Sequence, residues 1–94
     1  MKTFIMYDIK DNKIRNKLIK FLRNLGFLRI QKSVFLGDIS NNIFNILEYN
    51  ISKIINIHFD SIYIFSISEN EYKKCIFMDK RKIQFILEAN ALIL

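Results

Sequence analysis

The amino-acid sequence predicts a small α+β domain with the element order β-α-β-β-α-β. Three observations carry that prediction. Short β-branched and apolar runs alternate with two longer stretches whose apolar residues recur at helical spacing. The two glycines, Gly26 and Gly37, fall at the ends of such runs, and no proline interrupts any of them. A chain of 94 residues, 51% of them hydrophobic, has room for a single domain, 1–94, with a single core.

Thr3 to Ile9 is β-branched and apolar and reads as the first strand. Phe4, Met6 and Asp8 share one face of it, and Ile5, Tyr7 and Ile9 the other. Asp11 or Asn12 can cap the helix that follows. Ile14, Leu18, Phe21, Leu22 and Leu25 form its apolar stripe, and Gly26 closes it as the residue past the C-cap. Phe27 to Ile30 and Ser33 to Leu36 are strand material ended by Gly37. No Asn-Gly turn marks a break, so two short strands and one bent strand both fit. Ser40 or Asn41 opens a second helix with Ile43, Ile46, Leu47, Ile51 and Ile54 on one face. Ser61 to Ile67 is the next strand. This order is the ferredoxin-like split βαβ pattern. After the polar stretch SENEYKKC, residues 83–87 (IQFIL) offer a fifth, C-terminal strand within an extension, 71–94, expected to contact a second copy of the chain.

Both faces of the first and last of these four strands are largely apolar. A ferredoxin-like sheet carries helices on one side only, so its other side needs a cover. A second copy of the chain, packed sheet to sheet about a two-fold axis, is the simplest cover. The tail EANALIL folding back is the rival, and the two combine if the tail crosses to the partner.

Charge narrows the function. Residues 1–32 hold nine lysines and arginines against Asp8 and Asp11, a net of +7, whereas residues 33–94 carry a net of −1. Such an imbalance reads either as a polyanion footprint or as a solvated helix. No apolar run approaches the ~18 residues of a membrane span. The N-terminus meets a charge too early for a signal peptide. The single cysteine, Cys75, fits a reducing cytoplasm.

The string YDI, then Arg15, then GFLRIQKSVFLGD, resembles the second CRISPR-associated protein, the small adaptation-complex subunit that partners the spacer integrase. The resemblance spans roughly residues 1–67 in motif order and spacing. It implies a ferredoxin-like homodimer, a metal-dependent endonuclease acting on RNA or DNA, and a bridge between integrase dimers that holds duplex DNA. The family's strand-end Tyr-Asp falls on Tyr7 and Asp8. Its helix cations fall on Arg15 and Lys17, its RxQ element on Arg29 and Gln31, and its SVF on Ser33, Val34 and Phe35. Leu36 stands where an acidic residue often follows that phenylalanine, and the resemblance carries no motif past about residue 70.

The resemblance implies Tyr7, Asp8 and Ser33 as the catalytic set. It also implies Asp8 as the metal ligand and Arg15, Lys17 and Arg29 as phosphate-holding cations, to which the charge imbalance adds Lys13 and Lys20 as expected nucleic-acid contacts. Read alone, Asp8 is equally a cap near the helix or a polar strand end, and Tyr7 a core residue. Mg²⁺, with Mn²⁺ as a substitute, takes six oxygens, so one carboxylate is a poor site. Two copies of Asp8 across a two-fold axis, completed by water and phosphate, make a better one. Ser33 is placed to ligate or orient a water. Phe35 reads as packing at the dimer seam, with base stacking as a minor option. Asp38 reads as a turn residue, His58 as a lone turn histidine, and Cys75 as inert. Three functions follow: a metal-dependent phosphodiesterase, a non-catalytic DNA-binding bridge, and an RNA-binding module of the RRM kind. The last lacks an RNP1-like string.

Overall fold

The computed structural model describes residues 1–78. Four strands and three helices follow one another as β1 (Lys2–Asp8), α1 (Asn12–Asn24), β2 (Leu28–Gln31), β3 (Val34–Asp38), α2 (Asn41–Ser52), β4 (Ser61–Ile67) and α3 (Glu69–Tyr72). The expected strand at 83–87 lies outside the described residues, as does most of the extension at 71–94. The strands form one sheet in the order β2-β3-β1-β4, antiparallel at every pairing. The β1-α1-β2 and β3-α2-β4 units therefore interleave, with β1 and β3 in the middle.

Local chemistry sets the helix ends. The Asp11 carboxylate accepts a hydrogen bond from the Ile14 amide at 2.9 Å, satisfying an orphan donor of α1. Gly26 follows the C-cap at φ 93°, a conformation that costs glycine least. Ser40 caps α2 in the same way through the Ile43 amide. Both helices bury one stripe on the inner sheet face. Leu18, Leu22, Leu47 and Ile51 meet Ile5, Tyr7, Phe27 and Phe35 in the main core. Phe35 is fully buried there, on the helix side of the sheet. That corrects its expected place at a dimer seam and removes it from base stacking.

The middle of the chain resolves into two strands. Lys32 and Ser33 form a tight turn, and the ladder shifts register between Arg29 and Gln31. Gly37 does not end β3. It pairs with Thr3 inside the sheet, and the strand runs on to Asp38. Asp38 is a strand-end anchor: its Oδ2 lies 2.9 Å from the Lys2 Nζ. The hydrogen bond from Lys2, chiefly, holds the Asp38 carboxyl below the ordinary carboxylate range.

The outer sheet face is half covered by its own chain. The stretch read as merely polar contains α3, opened by a capping box in which Ser68 and Glu71 satisfy each other's backbone amides. Tyr72, Cys75 and Phe77 then pack over Ile30, Leu36, Phe4, Leu28 and Val34. The buried Lys2 ammonium sits 4.9 Å from the Tyr72 ring centroid, tying α3 to β1. Toward β4 the described residues cover less of it, reaching Ile67. Met6, Tyr63 and Phe65 remain 37%, 65% and 43% exposed.

Candidate active site at the end of the first strand

Alternation along β1 turns Ile5 and Tyr7 inward and leaves Asp8, the last residue of the strand, in solvent on the outer face. Opposite it on β4 stands Ser61. The β2–β3 turn closes over the same strand end. The Tyr7 amide donates to the Ser33 carbonyl at 3.1 Å, and the Tyr7 hydroxyl donates to the Lys32 carbonyl at 3.1 Å. Arg29 donates to that carbonyl twice more, through Nε at 3.1 Å and Nη2 at 2.8 Å. From the other side, the Arg15 guanidinium donates to the carbonyls of Ile9 at 2.6 Å and Lys10 at 3.3 Å, and to the Asn12 amide oxygen. Backbone carbonyls thus occupy part of each guanidinium's donor set but neutralise none of its charge.

These bonds build one hollow, lined by Asp8, Arg15, Arg29 and Ser33 together with Ile9, Lys10 and Lys32. Among the described residues neither the Asp8 carboxylate nor the Ser33 hydroxyl has a hydrogen-bond or ion-pair partner. A solvent-facing carboxylate in a cluster of cations, with its oxygens uncommitted, is able to take a metal cation. The surrounding ammonium and guanidinium groups are able to hold a phosphate.

The structure thus gathers four of the residues singled out from sequence: Asp8, Arg15, Arg29 and Ser33. Tyr7 sits behind them, buried, with its hydroxyl engaged in pinning the turn. Lys13, Lys17 and Lys20 stand elsewhere, exposed along the solvent face of α1. Lys10 and Lys32 enter the sequence reading only through the net charge, yet both line the hollow. Their signal is that both flank strand ends that converge. Among the described residues no group of three potential metal-ligating side chains of histidine, cysteine, aspartate or glutamate occurs. Nearby, Asp11 and Asp60 have oxygens tied to the Ile14 and Asn56 amides. The described residues of one chain therefore offer a single uncommitted carboxylate here, too few for a divalent cation by itself. On β3 the outer-face residues Val34 and Leu36 are aliphatic and lie beneath the cover around Tyr72, so that central strand presents no aromatic ring for stacking. No helix among the described residues is long and apolar enough to cross a membrane.

Fold and site together define a class: small α+β proteins with one free carboxylate, ringed by cations, at the end of a central antiparallel strand. The chain belongs to the CRISPR associated protein Cas2 family, whose model matches residues 1–75. It is 27% identical over 88 residues to the CRISPR-associated endoribonuclease Cas2 of Thermofilum pendens, covering 94% of each chain. A shorter match, 42% over 41 residues, spans 44% of this chain and 44% of the like-named protein of Korarchaeum cryptofilum. Among solved structures, Streptococcus pyogenes Cas2 superposes with a TM-score of 0.73 at 20% identity, over 84% of this chain and all of that one. That likeness concerns the fold.

Proposed function

We propose that the chain is a metal-dependent endonuclease of CRISPR spacer acquisition that works as a symmetric homodimer on RNA or DNA phosphodiesters. The same dimer binds duplex DNA and bridges the integrase. The strand order β2-β3-β1-β4 supports the ferredoxin-like reading. The names of the relatives, endoribonucleases, support the reaction class.

One observation carries the proposal. The uncommitted carboxylate of Asp8 lies on the outer sheet face, among Lys10, Arg15, Arg29 and Lys32. In the proposed dimer the two-fold axis passes beside the Asp8 end of β1 and so sets two such carboxylates together. Two carboxylates with water and substrate oxygens suit Mg²⁺, and Mn²⁺ in its place. Held by the two Asp8 carboxylates, such a cation would supply Lewis acidity toward a water and toward the substrate phosphate. The chain's own residues do the rest. Arg29 and Lys32 hold the phosphate, the Ser33 hydroxyl orients a water, and Tyr7 fixes the turn on which both stand.

A second reading keeps the dimer as a non-catalytic bridge. It is favoured by the exposed lysines of α1, which lie outside the Asp8 hollow. Asp8→Asn separates the two. It keeps shape and removes the charge that recruits the cation. Hydrolysis of single-stranded RNA and duplex DNA, with and without EDTA, should fall to background in the variant while dimerisation and DNA binding persist. Activity that survives in the variant rejects Asp8 as the metal ligand. Absence of activity in both proteins favours the bridge.

A further inference from the structure

The turn between α2 and β4 carries two of the most exposed apolar side chains among the described residues, Ile57 at 77% and Phe59 at 83%. Scattered surface hydrophobics are ordinary, but this pair has a defined setting. The turn is tightly braced. The Asn56 carbonyl accepts from the amides of Phe59 at 3.0 Å and Asp60 at 2.7 Å. The buried Asp60 carboxylate accepts from the Asn56 amide at 2.8 Å, and the Asn56 side chain accepts from the His58 amide at 3.0 Å. Phe59 is thus held out to solvent by its backbone, at little further cost in ordering.

Its position matters as much. Two residues on, Ser61 pairs with Asp8 across β4 and β1. Phe59 lines a hollow with Lys10, Asp11, Ile14, Asn56 and Asp60, and Lys10 also lines the hollow of Asp8, Arg29 and Lys32. The two hollows therefore adjoin through one lysine. The carboxylates in the Phe59 hollow are already committed, Asp11 to the Ile14 amide and Asp60 to the Asn56 amide. Lys10 provides its cation, next to an aromatic face.

From this we infer that Phe59 is a stacking platform for an unpaired base, whose phosphate lies at Lys10 on the way into the Asp8 hollow. The inference rests on the proposed nucleic-acid reading and refines it: the preferred ligand is a single strand, or the frayed end of a duplex. Stacking needs a free base face, which a blunt duplex withholds, while phosphate contacts serve both.

The test is binding of dye-labelled single-stranded oligonucleotide and blunt duplex to the full chain by fluorescence anisotropy at fixed salt. Phe59→Ala should weaken single-strand binding by roughly 5- to 100-fold and leave blunt-duplex binding within about twofold, because phosphate contacts alone carry the duplex. Phe59→Trp should retain the single strand. Because Phe59 packs little, both variants should keep the wild-type circular dichroism and sedimentation. Wild-type binding that Phe59→Ala leaves unchanged, or weakens equally for both ligands, overturns the stacking role and spares the broader reading. Dissociation of the protein by Phe59→Ala overturns it too, making the turn a protein contact. A wild type that binds neither ligand overturns both.

Discussion

Gly37 sits where a side chain has no room. A Cβ there would lie 2.8 to 2.9 Å from three carbons of the Phe27 ring, and that ring is itself buried to 2% exposure. Neither neighbour can retreat in a packed interior. Gly37→Ala should therefore cost roughly 1–3 kcal/mol of stability, read as a lowered denaturant midpoint, and Phe27→Leu in the same chain should restore part of it. Equal stability of wild type and Gly37→Ala would show that the ring moves freely. Sequence reading puts Gly37 at a strand end because glycine punctuates elements. The actual reason is a close approach to a ring ten residues earlier, which no local pattern records. Asp8 is legible for the opposite reason. Its neighbours Phe4, Ile5, Met6 and Tyr7 make the strand, and a charge at the end of it stands out.

At the level of elements, legibility follows how local the cause is. Asp11 and Ser40 mark helix starts through side-chain oxygens that accept from nearby backbone amides, and Gly26 marks an end through its positive φ, so α1 and α2 can be read directly. The β2–β3 turn cannot. Its Lys-Ser pair has no turn signature, and bonds from Arg29 and Tyr7 to the Lys32 carbonyl hold it from outside. α3, of four residues, is too short for periodicity, although the Ser68–Glu71 spacing of a capping box is there to see. Helix α1 carries a prediction of its own. Leu18 and Leu22 face the core, and Lys13, Lys17 and Lys20 recur at i, i+4 and i+7 on the exposed side. Changing all three to Glu should leave the thermal melt near wild type and weaken every duplex sequence alike. With about five phosphates neutralised, log K should fall against log salt with a slope near −4.5, and the variant's slope should be shallower by roughly 0.9 for each phosphate no longer neutralised. Unchanged affinity would reduce the stripe to a solvated face, leaving any phosphate binding to the Asp8 hollow.

For the whole molecule, the question is what lies against the open half of the outer sheet face. The ladder places Met6 beside Tyr63 and Phe4 beside Phe65, with the Phe4 and Phe65 rings stacked at 5.3 Å, and the row ends at Asp8 beside Ser61. Apolar surface therefore leads directly to the free carboxylate. Tyr72 and Phe77 shield the β2–β3 side of that face, and Met6, Tyr63 and Phe65 on the β4 side stay exposed. A second copy across a two-fold axis would bury well over ~1,000 Å², the scale of a stable interface, and an axis passing beside the Asp8 end of β1 would set two of these carboxylates together. Tyr63→Glu with Phe65→Glu sets buried like charges against each other across that axis, at positions the fold of one chain leaves exposed. The double variant should sediment as a monomer of 11.3 kDa with unchanged circular dichroism. It should also lose cleavage, although Asp8, Arg29 and Lys32 are all intact. A monomer that still cleaves would break the link between symmetry and chemistry, because one carboxylate would then suffice. A wild type that is itself monomeric at micromolar concentration would refute the interface and the shared site together. Loss of dimer and of activity in one step, restored in neither by added Mg²⁺, is the outcome that ties the apolar row to the carboxylate at its end.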